Sequence, residues 1–124
     1  MSHDIVADAL SKIMNAKRAR AQVVTLSRYS RFLLSVLAIA KLKGYIKDYS
    51  IENKLLRVEL KKLNMCGAIK PRFIVTTKDI EIFIKRYLPA KNIGVLIVST
   101  SNGLMTHQTA LEKKIGGALI AYFY

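Results

Sequence analysis

The apolar positions of the first forty-odd residues recur twice at helical spacing, with a short extended stretch between. Ile5, Val6, Ala9, Leu10, Ile13 and Met14 follow Ser2 and Asp4, either of which can cap, while Asp8, Ser11, Lys12 and Asn15 take the other face. That pattern predicts an amphipathic helix. Residues 22–26, with Val23, Val24 and Thr25, read as a strand. Ser27 and Ser30 offer caps for a second helix over 31–43, where Phe32, Leu33, Val36, Leu37 and Ala40 form one stripe and Gly44 is the stop signal. Two strands follow at 45–50 and 54–62. In the second, Leu56, Val58 and Leu60 alternate with Arg57, Glu59 and Lys61, so one face is buried and one is wet. Ile51, Glu52 and Asn53 are expected to connect the two strands as a hairpin.

Residues 64–70 contain Gly67 and precede Pro71, which marks a turn and sets a lobe boundary near Leu63. Beyond it the pattern predicts a strand at 72–76 and a helix at 79–87 carrying Ile80, Phe83, Ile84 and Tyr87, which Pro89 ends. A solidly apolar strand at 94–100 comes next, then a turn at Asn102-Gly103, one or two helical turns at 107–114, and a closing strand at 118–124. The expected class is α+β in two small lobes. Residues 1–62 run helix, strand, helix, strand, strand, and residues 63–124 are mostly β with a short helix.

Charge adds the first hint of a partner. The 124 residues carry 21 Lys and Arg against 8 Asp and Glu, a formal +13. Such a field attracts a polyanion and says nothing about fold. The excess is shared: 13 basic against 5 acidic residues in 1–62 leave +8, and 8 against 3 in 63–124 leave +5. Lys17, Arg18, Arg20, Arg28, Arg31, Lys70, Arg72, Lys85, Arg86 and Lys91 are available to bridge to phosphates. A single cysteine, Cys66, excludes an internal disulfide framework and fits a reducing interior. The N-terminal segment lacks the pattern of a signal peptide, and the apolar run from Phe32 to Leu42 is about half of the roughly 20 residues a membrane span needs.

Enzyme chemistry has little support. His3, Cys66 and His107 stand far apart in sequence, without metal-ligand spacing. A Cys66–His107 nucleophile pair is formally open, but a lone thiol beside Met65 is more often an inert small hydrophobe. Gly116-Gly117 precedes a strand and fits no phosphate-binding loop, so it reads as a tight turn. Tyr87, Tyr122 and Tyr124 fall where packing is the commoner use of a ring. The densest polar cluster is 98–107, with Ser99, Thr100, Ser101, Asn102, Gly103, Thr106 and His107 directly after the apolar strand. Its hydroxyls and amide suit base edges and sugar 2′-hydroxyls of irregular RNA. On spacing alone, a hairpin turn whose Ser, Asn and Gly only satisfy turn geometry is the better reading.

The stretches IVSTSNGLMTH (97–107), IGGALIAYFY (115–124), NMCGAIKPRF (64–73) and ADALSKIMNAKR (7–18) together resemble the small-subunit ribosomal protein family numbered eight, over the whole chain. CGAIKPRF and KRYLPA resemble its archaeal and eukaryotic branch, whose eukaryotic member is called fifteen-a. The resemblance implies a two-lobed cytoplasmic protein of the small ribosomal subunit that binds the central domain of its rRNA, supports assembly and neighbours other small-subunit ribosomal proteins. It implies no catalysis, cofactor, metal, membrane or small-molecule substrate. By motif, Ser99, Thr100, Ser101, Asn102, Gly103, Met105 and Thr106 would form the RNA-contacting loop of the C-terminal lobe, with Lys70, Pro71 and Arg72 nearby. Asp4, Asn15 and Lys17 would belong to a second RNA-facing surface on the first helix. The stretch from Asp48 to Arg57 departs from the family pattern in lacking a glycine-containing loop. The competing readings are a small basic thiol or serine enzyme and a peripheral membrane binder.

Overall fold

The computed structural model describes residues 4–70 and 72–124. Ser2, His3 and Pro71, singled out in the sequence, lie outside them. The fold is α+β, and the chain divides into two compact units, Met1–Gly67 and Ala68–Tyr124.

The first unit runs α1 (Ile5–Arg18), β1 (Val23–Leu26), α2 (Arg31–Leu42), β2 (Ile46–Glu52) and β3 (Leu55–Leu60). The three strands form an antiparallel sheet in the order β1-β3-β2. Asp4 caps α1, its carboxylate accepting from the Ala7 N–H at 3.1 Å, and Ser30 caps α2 through the Leu33 N–H at 3.2 Å. Each hydroxyl or carboxylate satisfies an amide that the first helical turn leaves without a partner. Gly44, at φ +86°, closes α2: its N–H donates to the Lys41 carbonyl and that of Tyr45 to Ala40. This is the two-bond C-terminal closure that favours glycine. Arg20 takes the same left-handed position after α1, at φ +60°, although an L side chain is strained there. The core comprises Leu10 and Ile13 of α1, Leu33, Val36 and Leu37 of α2, and Leu56 and Val58 of β3, all at most 1% exposed.

The Asp4 cap makes a simple prediction. Asp4→Ala is expected to lower stability by about 1 kcal/mol in a urea titration, whereas Asp4→Asn keeps most of it. Equal midpoints for parent and Asp4→Ala would show that the cap contributes nothing.

The hairpin from β2 to β3 is tighter than the sequence suggests. Glu52 pairs with Leu55, and Asn53 and Lys54 alone form the turn, at φ +52° and +64°. Two successive left-handed residues give the turn whose twist matches the strands it joins, so Ile51 and Glu52 remain in β2. Asn tolerates that conformation; Lys54 holds it against its preference.

Residues 64–70 do not form a simple turn. Cys66, Gly67 and Ala68 make a short strand, β4, which pairs with the closing strand. Cys66 also stays with the first unit, its N–H donating to Met14 Sδ at 3.3 Å and its thiol directed at the Leu10 carbonyl at 3.8 Å. The two compact units meet in sequence after Gly67, inside this strand.

The second unit continues with β5 (Ile74–Val75), α3 (Ile80–Tyr87), β6 (Val95–Thr100), β7 (Gly103–Thr106), α4 (His107–Lys113) and β8 (Gly117–Phe123). Its two short helices stand at the two places where the sequence predicts helical turns, 79–87 and 107–114. Its sheet has the order β4-β8-β6-β7, and β5 lies on the other side of β8 from β6. One face of this sheet, with Leu96, Val98, Met105 and Leu119, packs on Ile80, Ile84 and Leu88 along α3 and on Ala110 of α4. The pairing slips between Ile97, opposite Ala121, and Val98, opposite Leu119. Ile120 is the extra residue of this bulge, which bends β8.

Candidate nucleic-acid interface

The polar cluster at 98–107 is not a loop but the end of a β-hairpin. Ser99 and Thr100 complete β6, Thr100 pairs with Gly103, and Ser101 and Asn102 form the exposed tip. Gly103 takes φ +105° with open space where a Cβ would stand, so conformation and not crowding selects glycine there. The Thr100 hydroxyl closes the turn from inside: Oγ1 donates to the Gly103 carbonyl at 2.8 Å and accepts the Asn102 N–H at 3.1 Å. Ser101, Asn102 and the Gly103 backbone are left facing solvent, on a tip that its own threonine rigidifies.

Two residues assigned to the contact loop belong to the interior. Met105 is 8% exposed and packs in the core cluster of the second unit. Thr106, 4% exposed, caps α4 by accepting the Thr109 N–H at 3.3 Å. Strand alternation explains the first, since a residue opposite the buried Val98 shares its face. Thr106, followed by Thr109, is the cap of α4, and neighbouring hydroxyls make that cap hard to single out in the sequence.

Ser99 is the link between tip and sheet. It lies opposite Leu104 on β7 and opposite Ala118 on β8, and Ala118 in turn lies opposite Ile74 on β5. A row across four strands thus runs Ile74, Ala118, Ser99, Leu104, none of them fully buried, with Ile74 at 87% exposure. Arg72 is exposed two residues before Ile74, two strands from Ser99, and Lys70 is exposed just after β4.

The glycine pair is what lets these strands close up. A Cβ on Gly117 would stand 2.3 Å from the Ser99 carbonyl oxygen, and one on Gly116 would stand 2.4 Å from that of Val75. Neither glycine has a positive φ. The pair therefore serves close backbone approach and not the tight turn the sequence suggested, and it fixes Ser99 against β8.

The three residues nominated on α1 do not form one patch. Asp4 sits at its N-cap, and Asn15 and Lys17 are exposed in the last turns of a helix of 14 residues. At 1.5 Å per residue the two ends are about 20 Å apart, and residues two apart on a helix point to nearly opposite sides. Asp4 serves the helix; Asn15 and Lys17 remain as separate exposed groups. Among the other cations, Arg28 pairs with Asp8 at 3.3 Å, and Arg86 lies 5.5 Å from the ring centres of both Phe73 and Tyr87.

Groups that would carry enzyme chemistry are committed elsewhere. Burial pushes the Cys66 thiol up to about 12, so the nucleophilic thiolate is absent near neutrality. His107, 1% exposed, accepts the Leu96 N–H at Nδ1 over 3.1 Å and so ties α4 to β6. Among the described residues no three His, Cys, Asp or Glu group as metal ligands, and no helix is long and apolar enough to cross a membrane. The tyrosines pack: Tyr87 stacks on Tyr122 at 5.4 Å and Tyr122 on Tyr124 at 6.2 Å, over the core of the second unit.

The family model of Ribosomal protein S8 matches residues 4–124. The chain is also 45% identical to the small ribosomal subunit protein uS8 of Nanoarchaeum equitans (strain Kin4-M), over the full length of both. This chain belongs to the ribosomal protein S8 family. As an S8-family member it is a structural constituent of the small ribosomal subunit, at work in translation, and not an enzyme. The SNG tip, the buried Met105 and the glycine pair at 116–117 are accordingly features of an S8 protein's second unit.

Proposed function

We propose that this S8-family chain binds the central domain of small-subunit rRNA in the cytoplasm, supports subunit assembly, and neighbours other small-subunit ribosomal proteins there. The observation that carries this reading is the hairpin tip: Ser101, Asn102 and the Gly103 backbone are exposed on a turn locked by Thr100 and seated on a close-packed sheet. A rigid polar tip loses little entropy on docking, and its hydroxyl and amide can match 2′-hydroxyls and splayed base edges of an irregular RNA helix. Ser99 supports the tip from the sheet. Lys70 and Arg72, and separately Asn15 and Lys17, supply cationic and polar contacts to phosphates; such contacts position the protein without reading sequence. Met105 and Thr106 act behind the tip, through packing and capping, and Asp4 through the cap of α1.

Binding of a central-domain rRNA fragment, measured across a salt series, tests the reading. The parent chain should lose affinity steeply with added salt, and Arg72→Ala should reduce the slope of log affinity against log salt by about 0.7 to 0.9, the share of one phosphate contact. An affinity indifferent to salt, or no preference for the central-domain fragment over an unrelated RNA, would sink it.

A further inference from the structure

The second unit carries a groove that the RNA reading does not use. Ile84, Lys85 and the C-cap Leu88 follow Glu81 at three, four and seven residues, one stripe of α3 and its end, and with Pro89, Ala90 and Lys91 they line a cavity of about 440 Å³. Buried Ile84 and Leu88 form its bottom, and exposed Pro89 and Ala90 its far wall. That wall is held in place. The Ile93 N–H donates to the Ala90 carbonyl at 3.2 Å, and Gly94, at φ +90°, leaves no room for a Cβ, which would stand 2.6 Å from the Phe123 carbonyl oxygen and 3.0 Å from Leu88 Cδ2. The groove is therefore preformed, which lowers the entropy lost on binding.

Its chemistry selects the occupant. Lys85 and Lys91 stand at the rim, and neither is in an ion pair among the described residues; Glu81 is the one carboxylate beside them. Two ammonium groups against one carboxylate leave a net positive rim. Between them Ile84, Leu88, Pro89 and Ala90 offer an apolar lining that phosphate and sugar do not complement. An apolar centre inside a charged rim is the anatomy of a protein–protein contact.

We propose that this groove docks a segment of another small-subunit protein, one presenting an apolar side chain flanked by carboxylates. The apolar side chain enters between Ile84, Leu88 and Pro89, and the carboxylates meet Lys85 and Lys91. The inference stands on the chain's membership of the small subunit and is independent of any RNA contact by the hairpin.

The test uses complete small subunits carrying Ala90→p-benzoylphenylalanine, irradiated and digested, with the crosslinked partner identified by mass spectrometry. The expected product joins residue 90 to a protein segment with an apolar residue and an Asp or Glu within about one helical turn of it. Adding Lys85→Glu and Lys91→Glu should lower the yield about tenfold, while Lys85→Arg with Lys91→Arg keeps it near the parent's. Sedimentation reads incorporation in parallel; if the double reversal blocks it, Lys91→Ala alone should lower the yield about threefold. A crosslink to RNA alone, to a segment without carboxylates or to a second copy of this chain would overturn the proposal. So would no crosslink, or a yield unmoved by the charge changes. Loss of rRNA fragment binding on altering the hairpin tests the other reading and leaves this result untouched.

Discussion

A chain carrying Ser99→Ala, Thr100→Ala and Ser101→Ala is expected to stay folded and to bind the central-domain rRNA fragment no better than unrelated RNA. The apolar half of β6, Val95 to Val98, holds the strand in the core and is untouched by the change. Each hydroxyl acts differently. Thr100 Oγ1 makes two hydrogen bonds inside the turn, so its loss loosens the tip that presents Asn102 and the Gly103 backbone. Ser101 is exposed and available to donate or accept directly, and Ser99 backs it from the sheet. Three such interactions at about 1 kcal/mol each come to roughly 3 kcal/mol, on the order of a hundredfold in affinity. Thr100→Ser should bind like the parent, because it keeps the oxygen that closes the turn. Parent-like discrimination by the triple variant, in a chain whose circular dichroism and melt are also unchanged, would remove the hairpin from the proposed interface.

Much of the fold was legible because the relevant signals were local. Ser30, the Phe32-to-Ala40 stripe and Gly44 bracket α2, and the Leu56–Val58 alternation marks β3; both elements form as the pattern predicts. What escaped was long-range. Cys66-Gly67-Ala68 has too few apolar residues to announce a strand, and becomes one only because β8 is there to pair with it. Asn53-Lys54 lacks the glycine that advertises a two-residue turn, so the hairpin appeared one residue wider than it is. In the candidate site the polar residues were visible and their division of labour was not. Hydroxyl-rich sequence does not say which oxygen faces solvent, and here Thr100 and Thr106 are spent on a turn and a cap. Met105 looked like part of a loop because the turn at 101–102 hid the strand that carries it inward.

Gly117→Ala is expected to be the most damaging single methyl addition in this hairpin's support. The new Cβ would lie 2.3 Å from the Ser99 carbonyl oxygen and 2.9 Å from its carbon, inside van der Waals contact with backbone and not with a side chain that can swing away. Relief requires β6 and β8 to part where Ser99 lies opposite Ala118, the row that seats the tip. Overpacking of this kind costs about 3 kcal/mol, roughly 10–20 °C in melting temperature for a domain of this size. Gly44→Ala separates this effect from ordinary backbone strain. At φ +86° the alanine is strained, yet its Cβ would meet open space, so a loss of about 1 kcal/mol is expected. The two variants should also differ in function under conditions where both remain folded. Gly44→Ala leaves rRNA affinity alone, because Gly44 ends a helix of the first unit, whereas Gly117→Ala displaces Ser99 and weakens binding along with stability. Should Gly117→Ala melt with the parent, the close approach of β6 to β8 would not be what holds the hairpin, and the reading of the glycine pair would return to a turn.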